Sequence, residues 1–410
     1  MNLDLALSGL GNGPLDEGLI RAHIAPLFSR VLARQEIYLA NHSLGRPLDQ
    51  MVDSVASALD AWYGTMDEAW SGGAWMGALT EYRRCISDLI GLDDPRGVVP
   101  KTSAGQGLRA VLNAFPQDRP VRVVATRGEF DSLDFILKAY GDAGRAEVTW
   151  VDARGLDGTV PIYDGADVAA AITPGCDLVV VSQVIFSTGQ VLPNLTQVVQ
   201  SAHQVGAKVL LDTYHSAGVF PFSVRDLDVD FAVGGCYKYL RGGPGACWLA
   251  IHPRHQETMR TLDTGWFAKR DVFSYHRAEP TEPPFAVRAT GGDGWLESTP
   301  PILTYYQALP GLRFTLALGV DRIRAYSLQQ LSFLRQHLKA AGIPHHAPAN
   351  TANWGGYALV PHADTSELVQ RLKAHGVNTD ARGGHVRFGP DLLNTSDELA
   401  RAVEVLKAQF

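Results

Sequence analysis

Tyr237-Lys238-Tyr239-Leu240 is followed directly by Arg241-Gly242-Gly243-Pro244-Gly245 near the middle of the chain. Just upstream, Phe231-Ala232-Val233-Gly234 is an apolar run with strand character. A lysine is ordinarily a solvated surface charge. Displaying one on a surface requires neither a buried run before it nor a glycine-rich turn after it. Set between the two, Lys238 reads as a side chain held at the end of a buried strand. Upstream again, Lys208-Val209-Leu210-Leu211-Asp212 ends a similar run in a carboxylate, and His215 follows.

Working outward, the texture from about residue 97 is strand–helix alternation. Strands are expected at Val121–Thr126, Glu147–Val151, Asp177–Ser182, Lys208–Asp212, Phe231–Gly234 and Ala246–Ile251. Helices are expected at Gln106–Ala114, Asp131–Gly141, Gly165–Ile172 and Asn194–Val205. Leu178-Val179-Val180-Val181 shows no polar alternation, which suits a strand covered on both faces. The pattern predicts an α/β fold, a mostly parallel sheet covered by helices. Before it, Leu15–Gln35, 49–70 and 75–91 have helical spacing, with a break at Ser71-Gly72-Gly73. Residues 36–40 read as a short strand. Residues 263–300 read as irregular loop structure. A long helix is expected over about 301–342, broken or kinked around Pro310-Gly311. Strands at Gly355–Val360 and His385–Phe388 then alternate with helices at Ser366–His375 and Ser396–Lys407. The expected domains are an N-terminal segment (1–48), a large domain (49–300) and a smaller α+β C-terminal domain (301–410).

Of the 410 residues, 46% are hydrophobic and 19% are charged, an ordinary globular balance, and the net charge is −7. No basic tract points to nucleic acid, and no apolar run approaches the ~20 residues of a membrane span. The N-terminus, Met1-Asn2-Leu3-Asp4-Leu5, lacks the pattern of a signal peptide. Cys85, Cys176, Cys236 and Cys247 have no zinc-ligand spacing and read as buried free thiols, and no metal is expected. A cytoplasmic location fits these features. Gly9-Leu10-Gly11-Asn12-Gly13-Pro14 follows no strand and is discounted as a dinucleotide loop. His345-His346 reads as an exposed loop pair.

Ligands of open parallel sheets sit beyond the carboxyl ends of the strands. Asp212 ends one strand and Lys238 follows another. Ser103-Ala104-Gly105 opens a helix whose backbone N–H groups suit a phosphate, although an ordinary serine-capped start would look the same. A Schiff-base lysine and a carboxylate that keeps a pyridine nitrogen protonated are the protein's contribution to pyridoxal 5'-phosphate (PLP) chemistry. Phe130 and His215 are candidate ring contacts. In Arg382-Gly383-Gly384-His385-Val386-Arg387-Phe388, Arg387 alternates with apolar neighbours and would face inward. It would serve either an amino-acid carboxylate or a salt bridge within the small domain. No GxSxG or HExxH is present, so serine and zinc hydrolysis have no support.

The blocks Asp212-Thr213-Tyr214-His215-Ser216-Ala217-Gly218, Val229-Asp230-Phe231-Ala232 and Tyr237-Lys238-Tyr239-Leu240 closely resemble the kynureninases, in the class V branch of the fold-type-I PLP enzymes. Thr188-Gly189-Gln190-Val191-Leu192, Asn41-His42-Ser43-Leu44-Gly45, Gly265-Trp266-Phe267, Thr299-Pro300-Pro301 and Val386-Arg387-Phe388-Gly389-Pro390 extend the likeness over about 36–410. The resemblance implies that Lys238 carries PLP, Asp212 pairs with the ring nitrogen, His215 lies near the ring and Phe130 stacks on it. It implies that Tyr237 binds the phosphate, with Ser103, Ala104 and Gly105, and acts as acid or base. Arg387 would hold the substrate carboxylate, with His42 and Ser43 nearby. Trp266 and Thr299 would serve cofactor and substrate, Trp266 from the partner subunit of a homodimer. The implied reaction is hydrolysis of the Cβ–Cγ bond of kynurenine to anthranilate and alanine.

The chain departs from the family at several points. Thr299 stands where kynureninases carry Asn, and Lys269 stands nearest a usual His. Asn41-His42-Ser43 replaces Gly-Asn-Ser, and Phe130-Asp131-Ser132-Leu133-Asp134 replaces Phe-Pro-Thr-Asp. Retained cofactor residues with altered aryl-pocket residues suggest a ring-modified kynurenine or another γ-substituted amino acid. The alternatives are another class V activity (β-lyase, epimerase or desulfurase) and a non-catalytic binding protein of the same fold.

Overall fold

The computed structural model describes residues 3–71, 73–157, 160–275, 277, 279–346 and 348–410. Met1, Asn2 and Gly72 of the expected break lie outside them. At the centre is a sheet of seven strands: β1 (Val98–Lys101), β2 (Val121–Thr126), β3 (Ala146–Val151), β4 (Leu178–Ser182), β5 (Lys208–Asp212), β6 (Phe231–Gly235) and β7 (Cys247–Ile251). Their order is β1-β7-β6-β5-β4-β2-β3. Strands β2 to β6 pair in parallel, and β7 alone is reversed between β6 and β1. The sheet is the expected mostly parallel one. Sequence reading missed β1, whose Val98-Val99-Pro100-Lys101 is too short and proline-marked to stand out.

The apolar runs divide by strand period into two cores. Val179, Val181, Val209 and Leu211 face one helical layer, which includes Ala74–Ile90, Leu195–Gln204 and Ile302–Leu318. Leu178, Val180, Leu210 and Val233 face the other, which includes Ala104–Leu112 and Asp131–Asp142. Full burial of β4 explains its lack of alternation.

A three-stranded antiparallel sheet follows, made of β8 (Ala358–Pro361), β9 (Asp380–Arg382) and β10 (His385–Phe388) in the order β8-β10-β9. It packs on helices that include Thr365–Ala374 and Ser396–Gln409. Near the N-terminus, Ile37–Tyr38 pairs in parallel with Val377–Asn378, and Ala40 bridges Gly389. The residues just after this strand are thereby carried to the end of β10. Among the described residues, no helix is long and apolar enough to cross a membrane.

Three expectations are corrected. The long helix does not break at Pro310-Gly311; it runs unbroken over Ile302–Leu318 and stops at Gly319, whose φ is +85°. The proline is tolerated because the Ser54 hydroxyl donates to the Tyr306 carbonyl at 2.6 Å, replacing the N–H that Pro310 lacks. His346 is not exposed: it is buried, and its N–H donates to the Leu359 carbonyl at 2.9 Å. Finally, the stretch 15–35 is not one regular helix. Ile20–Ile24 is a π turn and Ala25–Phe28, with Pro26, a 3-10 turn.

Candidate active site

The sheet register sets the site. Cys247 at the start of β7 pairs with both Lys101 and Gly235. The segments leaving β1 (Thr102-Ser103) and β6 (Cys236-Tyr237-Lys238) therefore emerge on the same edge. Asp212 ends β5 opposite Val233 and Ser182. Beyond β6 the chain turns back: the Arg241 N–H donates to the Lys238 carbonyl at 3.0 Å, and the Gly242 N–H to the Cys236 carbonyl at 2.7 Å. The N-terminal segment closes over this turn, with the Gly45 N–H donating to the Tyr237 carbonyl at 2.8 Å. A Cβ on Gly45 would sit 1.9 Å from the Lys238 carbonyl oxygen, so this close approach needs a glycine.

Lys238 is buried, and its Nζ lies 3.0 Å from His215 Nε2. Phe130, Tyr214 and Tyr237 surround the amine, with ring centroids 5.5, 4.8 and 5.7 Å away. Burial pulls the Lys238 ammonium down to about 7, although the Asp212 carboxylate opposes this. Burial likewise holds the His215 imidazole well below its ordinary value, and Lys238 reinforces the effect. The His42 backbone works against this fall. Asp212 is buried; its carboxylate accepts the Tyr214 N–H at 2.8 Å. Burial raises the Asp212 carboxyl, while that N–H and Lys238 favour its charged form.

Arg387 on β10 is buried, as its alternation predicts. Its Nε donates to Asp380 Oδ1 at 2.7 Å and its Nη2 to Asp380 Oδ2 at 2.5 Å. Nη2 also reaches Ser43 Oγ at 3.0 Å, and Nη1 the Phe186 carbonyl at 3.3 Å. His42 Nε2 is 2.8 Å from Asp380, and the Ser43 hydroxyl donates to the same carboxylate. The rings of Phe186 and Tyr357 link the arginine to the lysine. Phe186 lies 5.1 Å from Phe130 and 6.1 Å from His215; Tyr357 lies 6.0 Å from His215 and 4.6 Å from His42. Contacts thus bring Lys238, Asp212, His215, Phe130, Tyr237, Arg387, His42 and Ser43 together from positions as far apart as 42 and 387 in the sequence.

Ser103 caps the helix Ala104–Leu112, its Oγ accepting the Gln106 N–H at 3.1 Å. Ala104 and Gly105 lie in its first turn, where backbone N–H groups have no helical partner. Trp266 and Thr299 pair with each other: Trp266 Nε1 donates to Thr299 Oγ1 at 3.1 Å, and the Trp266 ring packs on Phe267 at 4.6 Å. Trp266 is 38% exposed and borders a cleft of about 800 Å³ with Lys269, Phe285 and Arg288.

Sequence reading missed Phe186, Tyr357, Asp380 and Glu129. Glu129 is buried and accepts the hydroxyls of Thr126 and Ser182, each at 2.6 Å. Burial pushes its carboxyl up to about 7, and Asp212 adds to the rise. Only its place beside Phe130 marked it in sequence. Asp380 lies directly opposite Arg387 in the β9–β10 register, which no local pattern discloses.

The donor set fits PLP. A buried lysine drawn toward its neutral form can attach to an aldehyde, a buried carboxylate beside it suits a ring nitrogen, and a capped helix start on the same edge suits a phosphate. The comparisons with known proteins agree. The family model described as Aminotransferase class-V matches residues 37–389. A kynureninase of Xanthomonas euvesicatoria pv. vesicatoria (strain 85-10) is 30% identical, covering 91% of each chain. A kynureninase of Bacillus thuringiensis subsp. konkukian (strain 97-27) is 26% identical over 90% of this chain and 87% of its own. Among solved structures, a C-DES variant with glycine covalently linked to the PLP cofactor superposes with a TM-score of 0.80 at 17% identity, covering 93% of this chain and 98% of that one. Since the match runs from the strand Ile37–Tyr38 to the residue after β10, the chain belongs to the aminotransferase class-V family and is a PLP-dependent enzyme.

Proposed function

We propose that this chain is a kynureninase-type hydrolase that cleaves the Cβ–Cγ bond of kynurenine, or of a ring-modified kynurenine, to an anthranilate-type acid and L-alanine. The observation that carries the reading is 26% and 30% identity, over about nine-tenths of the chain, to relatives bearing that name. Lys238, Asp212, His215, Phe130 and Tyr237 would hold PLP, and the backbone at Ser103, Ala104 and Gly105 would take its phosphate. Bound PLP supplies an electron sink for charge developing at the substrate Cα.

The chain's own residues do the rest. Lys238, drawn toward the neutral amine by burial, would take the proton from Cα and return it. Burial raises the Tyr237 phenol, keeping it protonated and able to donate to an oxygen of the reacting group. Arg387 would take the α-carboxylate, with Ser43 and His42 beside it. Trp266 and Thr299 would reach a partner subunit's pocket in a homodimer and meet the substrate ring there.

The test is a screen of the PLP-loaded protein with kynurenine, 3-hydroxykynurenine and ring-substituted analogues, followed by chromatography of the products. An aryl acid plus alanine is expected; no aryl acid from any of them removes the kynureninase reading and leaves the PLP enzyme. A desulfurase reading has little to work with, because all four cysteines are buried and Cys247 lies within β7. Sulfide release from cysteine would reverse that judgement. The shared site is tested by mixing Trp266→Ala with Lys238→Ala: a homodimer with shared sites regains part of the activity, and independent chains do not.

A further inference from the structure

Arg387 is already occupied on one edge. Asp380 takes its Nε and Nη2 through two bonds of 2.7 and 2.5 Å. The Nη1/Nη2 edge is more lightly held. There Nη1 donates to the Phe186 carbonyl at 3.3 Å and Nη2 to the Ser43 hydroxyl oxygen at 3.0 Å, neutral acceptors that a carboxylate can displace. A guanidinium can bind two carboxylates at once, one on each of these edges. Asp380 is in turn fixed from the far end of the chain, by His42 Nε2 at 2.8 Å and by the Ser43 hydroxyl. Burial draws His42 down to about 4, so at neutral pH it is a neutral donor here and adds no charge. Burial raises the Asp380 carboxyl, but His42 and Arg387 outweigh it and hold the group ionised, well below the usual range.

From this geometry we infer that Asp380 is the positioning residue for carboxylate recognition. It grips the Nε/Nη2 edge of Arg387 so that the Nη1/Nη2 edge is presented to the α-carboxylate of an amino acid. The inference rests on the reading that Arg387 takes that carboxylate. An arginine without this anchor would keep only neutral partners, the Ser43 hydroxyl and the Phe186 carbonyl, between the rings of Phe186 and Tyr357, 5.7 and 5.4 Å from its Cζ. It would then have to be ordered at each binding event, at a cost in affinity. Asp380 touches neither substrate nor cofactor in this arrangement; it acts through Arg387.

The experiment compares two ligands by calorimetry on the PLP-loaded protein: L-alanine, and ethylamine, which lacks the carboxylate. The native chain should favour L-alanine, and Arg387→Ala should abolish the preference. Asp380→Asn should reduce it about tenfold while ethylamine binding stays unchanged, a result that loss of fold would not give. Asp380→Glu, which keeps the charge, should lie nearer the native chain than Asp380→Asn. If Asp380→Asn and Asp380→Glu both keep the native preference while Arg387→Ala loses it, Asp380 has no positioning role. If Arg387→Ala keeps the preference, the reading of Arg387 itself fails, and the two failures are thereby told apart.

Discussion

Lys238 Nζ and His215 Nε2 lie 3.0 Å apart, with both side chains buried. Burial draws each group toward its neutral form, and the neighbouring Lys238 adds to the fall at His215. A neutral amine at the end of β6 follows from packing, not from any property of lysine itself.

That packing has a measurable signature in the cofactor-free chain. Burial draws the folded lysine down to about 7 from its ordinary 10.5. Between these values the unfolded chain binds the extra proton, so this residue's contribution to stability rises with pH from about 7 to 10.5. Lys238→Met should flatten the slope across that window, seen as the difference between the two proteins in urea unfolding at several pH values. Equal slopes would show that the amine is not desolvated.

Glu129 should behave in the opposite sense. Its folded carboxyl is raised to about 7 from 4.5, so the folded chain holds the extra proton between those values. The contribution is fully present below 4.5 and fades as pH rises through about 7. Glu129→Gln should remove this decline in stability between pH 4.5 and 7. Thermal melts over that range decide it, and a decline of native size in the variant counts against a buried protonated acid.

Asp212→Asn should weaken PLP binding about 10- to 100-fold, the ~1.5–3 kcal/mol of a hydrogen bond to a charged group. Equilibrium dialysis of the cofactor measures this directly. Retention at native affinity would remove Asp212 from the ring nitrogen.

Gly45→Ala should destabilise the chain by about 1–3 kcal/mol, the usual cost of overpacking. The new methyl meets the Lys238 backbone carbonyl, which cannot swing aside as a side chain would. Cofactor loading should fall with it, read as the visible absorbance of the purified protein. An unchanged melt with full loading would mean that the N-terminal segment does not close over the turn.

Legibility in the sequence followed the range of the interactions. The buried strands could be read because a two-sided core demands continuous apolar runs, as in Leu178–Val181, and so could Asp212 and Lys238 at the strand ends. Local capping made Ser103 visible. Pro310 misled because its helix is rescued by Ser54, a residue more than 250 positions away. His346 misled because its bridge to Leu359 is a tertiary pairing.

The sequence alone determined the parallel α/β core, the lysine and aspartate at its edge, and the inward direction of Arg387. Strand period and burial are local consequences of residue order. Tertiary structure alone decided what Arg387 and Lys238 touch: Asp380 across a strand pair, His42 and Ser43 from the N-terminal segment, Phe186 and Tyr357 between them. Those contacts depend on chain segments meeting in space, and neither spacing nor composition records which segments will meet.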